Sequence, residues 1–375
     1  MKINGLIVAA GLSSRMNDFK PLMKIDGKPL ILNTINSLRQ SNIEDITVVV
    51  GHRKDDLKDL LKNENVNIVF NENYKTTSMY DSFKLGLKEI YNKCDALVFL
   101  PGDVGFTSKY TVDLLMKEIS KNEKKIIYPT YENEIGHPPI ISSKCFEYLL
   151  NYDGNEGLKG GMKHFYQESM KISTPDKFIL FDMDYKEDFN KVKNSYENRE
   201  YLSYEEALYL LNYFDLPNHI VRHCQMVEKI AVDLSETINK YENCIDVNLI
   251  KSAALLHDIK RLEKEHAKKG AKLLSDLGYH KISSLVKNHM KLESHMEDEI
   301  NEMSILYFAD KLVIEDKFTS IENRFEEKFK EYALDENAKK NILKKYNTTL
   351  KIKSNIISII GEVEYEKLEE KWRGK

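Results

Sequence analysis

The chain has 375 residues, with 56 basic against 60 acidic side chains and a formal net charge of −4. That balance gives no global attraction to nucleic acid, which is excluded as an expected partner. No run of about eighteen apolar residues occurs, so neither a spanning helix nor a membrane partner is expected.

The amino terminus enters an apolar run directly and shows no cleavable signal pattern. Cys94, Cys145, Cys224 and Cys244 are scattered without paired spacing, which suits reduced thiols and a cytoplasmic protein. The length accommodates two domains.

From residue 1 to about 190, short apolar runs alternate with helical patterns. Gly5–Ala10, Ile46–Val50, Val66–Phe70, Ala96–Leu100, Ile126–Pro129 and Pro139–Ile141 read as strands. Amphipathic helices are expected at Leu30–Gln40, Asp55–Lys62, Ser78–Tyr91 and Lys109–Ser120. The alternation predicts an α/β unit, a Rossmann-like, mainly parallel sheet with helices on both faces and ligands at the carboxyl ends of strands. Lys191–Glu200 is polar and charged. A linker is therefore expected over 191–202, between a first domain at 1–190 and a second at 203–375. Beyond Ser203 nearly every segment has helical period, so the second domain is expected to be all-α.

Two strand ends carry the chemistry of the first half. The run Leu6–Ala10 breaks at Gly11-Leu12-Ser13-Ser14, with Arg15 and Lys20 close behind. A turn of small residues lets the backbone N–H groups around Ala10, Gly11 and Leu12 approach a phosphate chain, and two cations would neutralise it. The alternative is an ordinary strand-to-helix turn. The second run, Ala96–Leu100, ends in Pro101-Gly102-Asp103. A carboxylate at such a strand end either holds Mg²⁺ against a triphosphate or caps a turn.

The stretch Ala9-Ala10-Gly11-Leu12-Ser13-Ser14-Arg15-Met16, with Lys20 four residues on, resembles the signature of MobA-like nucleotidyltransferases. Within them it is most similar to the molybdenum-cofactor cytidylyltransferase branch, with Asn17 where the family usually has glycine. The resemblance implies catalytic roles for Arg15, Lys20 and Asp103, with Asp103 as a magnesium ligand. Ser78–Leu87, which contains Ser82, is similar to the helix start that contacts base and ribose, with Tyr80 and Asp81 in place of small residues. Gly136-His137-Pro138-Pro139 is similar to the acceptor-side segment, which makes His137 an acceptor-binding candidate. Asp153–Gly157 resembles an acceptor loop. Phe181-Asp182-Met183-Asp184 falls on the family's second acidic segment, with Asp184 the candidate metal ligand and Asp182 a structural or surface residue.

The reaction implied is in-line attack by an acceptor phosphate on a nucleotide α-phosphorus, with pyrophosphate leaving. Positioning and charge neutralisation supply the catalysis, and no protein base is required. CTP is the favoured nucleotide and molybdopterin the favoured acceptor. Cytidylyl or uridylyl transfer to a sugar phosphate or phosphorylated alcohol is the alternative, and a nucleotide-sensing regulator is a third reading.

The second half holds His223, His257-Asp258, His266, His289 and Asp310. Imidazoles and carboxylates suit Mn²⁺, Fe²⁺, Zn²⁺ or Mg²⁺, and the lack of a cysteine argues against structural zinc. Six potential ligands exceed the needs of one catalytic ion. The order H…HD…H…H…D, from about His219 to Val313, resembles HD-domain phosphohydrolases. By that resemblance His223, His257, Asp258 and Asp310 hold the first metal, and His266 and His289 complete a two-metal version. His164, His219, His280 and His295 read as core or surface residues. Lys260, Arg261 and Lys311 flank the doublet and either receive phosphate oxygens or stay solvated. The charged tail beyond about Lys328 is expected to pack on the bundle or on a second subunit of a homo-oligomer. A bifunctional enzyme is the leading expectation.

Overall fold

The computed structural model describes residues 1–13, 16, 18–292 and 298–374, which fall into two compact units, Met1–Asn198 and Arg199–Lys375. Arg15 and His295 lie outside the described residues.

The first unit runs β1 (Ile3–Ala9), β2 (Lys24–Ile25), β3 (Lys28–Pro29), α1 (Leu30–Arg39), β4 (Ile46–Val50), α2 (Lys54–Leu61), β5 (Asn67–Phe70), α3 (Met79–Ile90), β6 (Ala96–Pro101), α4 (Lys109–Lys121), β7 (Ile126–Tyr131), β8 (Glu134–Ile135), β9 (Ile140–Ser142), α5 (Phe146–Asn151), α6 (Gly157–Lys163), β10 (Ser169–Ser173) and α7 (Lys186–Glu197). The sheet order is β10-β7-β9-β6-β1-β4-β5, with β8 on β7. The pairs β1–β4, β1–β6, β4–β5 and β7–β10 are parallel, whereas β9 runs antiparallel to both of its neighbours. The half-polar edge strand β10 has no apolar run and escapes a reading by hydrophobicity.

Central strands are continuous apolar runs because both of their faces are covered. On β1, Ile7 and Ala9 pack on one side with Ile31, Ile35 and Leu115. Leu6, Val8 and Ala10 pack on the other with Phe83, Leu87 and Phe146. Each fully buried aliphatic side chain stabilises the layer by about 2 kcal/mol.

The stretch 191–202, expected as a linker, is largely helix. α7 runs to Glu197 and its Phe189 and Val192 are buried with Met16, Ile25, Leu30 and Phe106. Two apolar residues at i and i+3 suffice to dock one face, although the rest of the segment is polar. The polar composition reports only the solvent side.

The second unit contains α8 (Tyr204–Tyr213), α9 (Asn218–Ile238), α10 (Val247–Leu256), α11 (His266–Asp276), α12 (His280–Asn288), α13 (Glu302–Lys311), β11 (Val313–Ile314), β12 (Lys317–Phe318), α14 (Ile321–Glu331), α15 (Glu336–Ile360) and α16 (Glu362–Trp372). It is helical apart from the two-residue strands β11 and β12. The tail packs on the bundle: Ile352, Ile356, Tyr365 and Trp372 are buried, and Trp372 Nε1 donates to Asp233 Oδ2 on α9 at 2.9 Å. No helix among the described residues is long and apolar enough to cross a membrane.

Candidate functional sites

In the first unit the ends of β1 and β6 lie side by side, Val8 facing Pro101 in parallel register. Gly102 N–H donates to the Val8 carbonyl at 2.9 Å. A Cβ on Gly102 would lie 2.8 Å from the Ala9 Cβ, so the close approach of the two ends requires glycine. Above Gly11 a Cβ would meet nothing within 4 Å, which leaves its backbone open to a ligand.

Lys20 reaches the junction from a short turn, Lys20–Leu22, whose first N–H donates to Ser13 Oγ at 3.2 Å. Its ammonium lies 3.1 Å from Asp103 Oδ2 and 3.4 Å from Asp184 Oδ1. A cavity of about 180 Å³ is lined by Ala10, Gly11, Lys20, Ser82 and Asp103 among others. Burial pushes the Asp103 carboxyl above its ordinary value, and Lys20 pulls it part of the way back. A half-buried carboxylate only partly neutralised by one lysine, with a second carboxylate on the same ammonium, suits a divalent ion. Asp103 and Asp184 are the residues that could hold one. Asp182 is turned to its own chain, accepting from Met183 N–H at 2.8 Å.

Leu12 is 46% exposed and does not line the cavity. His137 is also off its wall, held through its backbone by Ile179 and Thr107. Its buried Nδ1 has no partner among the described residues, and burial holds the ring below its ordinary pKa despite Asp182 and Asp103. Tyr80 is buried in the core, stacked on Phe83 with its hydroxyl donating to the Leu149 carbonyl. Asp81 closes the capping box of α3 with Ser78. Both departures from the resembled pattern are thus structural, and neither lines the cavity.

Sequence reasoning missed Ser13, Tyr74 and Thr77 on the cavity wall. It also missed Asn71, whose Nδ2 donates to Thr77 Oγ1 and Ser82 Oγ, each at 2.9 Å. The available signal was Asn71 itself, a polar residue just past the carboxyl end of a parallel strand.

In the second unit five helices deliver six side chains to one point. His223 comes from α9, His257 and Asp258 follow α10, His266 opens α11, His289 follows α12 and Asp310 sits near the end of α13. Three imidazoles are aimed by backbone carbonyls. His257 Nδ1 meets Ala254 O at 2.7 Å, His289 Nδ1 meets Val286 O at 2.7 Å, and His223 Nδ1 meets Glu315 O at 2.8 Å. Donation from Nδ1 leaves each Nε2 as a lone pair pointing inward. The β11–β12 hairpin thereby earns its place: its turn residue Glu315, at φ 53°, supplies the carbonyl that orients His223.

Asp258 divides its two oxygens. Oδ2 lies 3.7 Å from His223 Nε2 and 3.6 Å from His257 Nε2, while Oδ1 lies 3.3 Å from His266 Nε2 and 3.6 Å from His289 Nε2. Two ligand groups result, His223–His257–Asp258 and Asp258–His266–His289, sharing one carboxylate. Asp310 Oδ1 joins the first, 3.3 Å from His223 and 3.8 Å from His257.

Burial drives His257 down to about 4, so its ring is neutral. Burial also opposes ionisation of Asp258, but its surroundings, with the Arg261 guanidinium 3.7 Å away, hold its carboxyl below the ordinary value. His257 Nε2, His289 Nε2 and Asp258 Oδ1 are buried without hydrogen-bond partners. Such orphaned groups are costly unless a cation satisfies them, and their chemistry fits two divalent ions.

Lys311 is buried and holds Asp310 Oδ2 at 2.5 Å. Lys260 pairs with Glu263 at 3.1 Å, and Arg261 approaches Asp258 at 3.7 Å. His164 stacks on Tyr148 and His280 meets Ser275. His219 is exposed, as expected of a surface residue, and borders the cavity beside the ligand cluster.

The first unit carries a glycine-lined cavity at two strand ends, and the second a cluster of histidines and aspartates that could hold metal. Residues 5–171 match the MobA-like NTP transferase domain and residues 220–314 match the HD domain. The first unit is thus similar to nucleotidyltransferase domains and the second to HD domains.

It is 34% identical to the choline-phosphate cytidylyltransferase of Haemophilus influenzae over 29% of this chain and 51% of that one. It is 24% identical to the bifunctional protein GlmU of Caldicellulosiruptor saccharolyticus over 72% of this chain and 54% of the relative. The chain therefore spans about half the length of these two curated relatives. The crystal structure of Rv0371c from Mycobacterium tuberculosis H37Rv superposes on 52% of this chain and 98% of its own, with 20% identity and a TM-score of 0.46.

Proposed function

We propose that the first unit transfers a cytidylyl group from CTP to the phosphate of a small acceptor, and that the second hydrolyses a phosphoester. The observation that carries the first part is the Lys20–Asp103 contact of 3.1 Å on the cavity that contains Gly11. The Gly11 loop would bind the triphosphate through backbone N–H groups, and Lys20 would neutralise charge on the leaving pyrophosphate. Arg15, from the same loop, is assigned the same task on sequence grounds. Ser82 would orient the nucleoside, and His137, neutral in its buried setting, is assigned to the acceptor side. Mg²⁺ held by Asp103 and Asp184 would supply charge neutralisation at the phosphates.

Molybdopterin is the acceptor that the sequence resemblance favours. A phosphorylated alcohol is the second reading, favoured by the choline-phosphate cytidylyltransferase among the relatives. In the second unit His223, His257, Asp258, Asp310, His266 and His289 would hold two divalent ions, which when bound supply an activated water and a clamp for phosphate oxygens. The four cysteines are free, which supports a reducing, cytoplasmic setting.

Pyrophosphate release, measured with each nucleoside triphosphate against molybdopterin, phosphocholine and sugar phosphates, tests the first part. CTP alone should be used. Silence with every acceptor, in protein that is folded and binds CTP, would leave the sensor reading standing. Hydrolysis of an aryl phosphate by metal-loaded protein tests the second part.

A further inference from the structure

The cavity beside the HD ligand cluster extends well past the ligands. It measures about 580 Å³, and part of its wall is built from Arg324 and Lys328 of α14 and Lys345 of α15. These helices lie beyond residues 220–314, the part that matches the HD domain. Their cations are poorly compensated. Among the described residues neither Lys328 nor Lys345 forms an ion pair with a carboxylate. Arg324 spends Nη1 on the Val313 carbonyl, while its buried Nε has no hydrogen-bond partner. Glu327 and Glu331 also border the cavity but are exposed to solvent.

We propose that this wall binds a polyphosphate group, so that the phosphohydrolase substrate is an organic phosphoester bearing a di- or triphosphate, with Arg324, Lys328 and Lys345 holding the phosphoryl groups remote from the ligand cluster. The inference rests on the phosphohydrolase reading for the cluster itself. A single phosphate can use either the ligand cluster or this wall, whereas a chain of phosphates reaches both. Three cations gathered in a half-buried space repel one another, and a compact polyanion relieves that repulsion with charge-assisted hydrogen bonds. Burial and the neighbouring Arg324, Lys311 and Lys345 push the Lys328 ammonium down to about 8, outweighing the opposing pull of Asp310.

The test is lysine acylation of the full chain at pH 8, read residue by residue by mass spectrometry with and without tripolyphosphate or inorganic phosphate. Tripolyphosphate should lower labelling of Lys328 and Lys345 by about tenfold at concentrations where inorganic phosphate does little. Equal protection by both anions, or by neither, overturns the proposal. A folded Lys328→Gln/Lys345→Gln protein should lose tripolyphosphate binding, measured calorimetrically in a Lys20→Ala background that removes the contribution of the first unit; retained binding also overturns it. Metal content and aryl phosphate hydrolysis are measured on the same protein. If they are present without protection, only this inference falls; if they are absent with protection, the phosphohydrolase reading falls instead.

Discussion

Lys20 Nζ and Asp103 Oδ2 lie 3.1 Å apart at the meeting of β1 and β6. The lysine reaches this point from the turn after the glycine loop and the aspartate from the end of the neighbouring strand. A triphosphate entering over Gly11 would therefore meet a cation and a carboxylate in one cavity. That convergence supports nucleotidyl transfer better than simple phosphate binding, for which the loop alone would suffice.

Asp103→Ala should abolish pyrophosphate release, with a loss of about a hundredfold or more in turnover. The histidine centre should keep its metal, read by elemental analysis of the same sample. Loss of both would contradict the independence of the two sites.

The divided carboxylate of Asp258 makes a sharper prediction. Asp258→Ala should empty both ligand groups, which share its carboxylate, whereas His266→Ala should lower metal content by about half, because His223, His257, Asp258 and Asp310 all remain around the first. His257→Ala should abolish phosphoester hydrolysis and leave pyrophosphate release intact. Equal metal loss in the Asp258 and His266 variants would argue for a single ion.

Gly102→Ala should separate the two strand ends, since its methyl would meet Ala9 Cβ at 2.8 Å. Overpacking of this kind costs about 1–3 kcal/mol. The thermal midpoint should fall and transfer activity should fall with it. An unchanged midpoint would show that the strand ends have room to spare.

Lys328 predicts a pH dependence. Its ammonium titrates near 8 in the folded chain against an ordinary 10.5. A lowered lysine pKa means the folded state binds its proton less readily than the unfolded chain does. The penalty is thus complete below pH 8, shrinks as pH rises from 8 towards 10.5, and is gone above that. Lys328→Gln should therefore stabilise the protein at pH 7 by about 1 kcal/mol, after discounting for solvent exposure, and the gain should vanish near pH 10.5. Denaturant unfolding at several pH values measures it; a gain that grows with pH would reverse the sign argued here.

The local signals were legible because their physics is local. A buried strand that breaks at glycine, at Ala10-Gly11 or Gly102-Asp103, marks a strand end where a ligand site is to be sought. The His257-Asp258 doublet at the end of an apolar helix demands polar partners wherever the chain goes. The alternation of apolar runs with helical patterns indicated an α/β unit followed by a helical one, and these stretches nominated Lys20, Asp103 and the six candidate ligands.

Tertiary structure decided what depends on chain closure. Only the folded chain divides the Asp258 oxygens between two pairs of imidazoles, brings the Glu315 carbonyl to His223, and sets Arg324, Lys328 and Lys345 on one wall. Periodicity reports which face of an element is buried, not which distant element covers it. The same limit hid α7: a polar stretch docked by Phe189 and Val192 became a helix of the first unit because Met16, Ile25 and Phe106 were there to receive it.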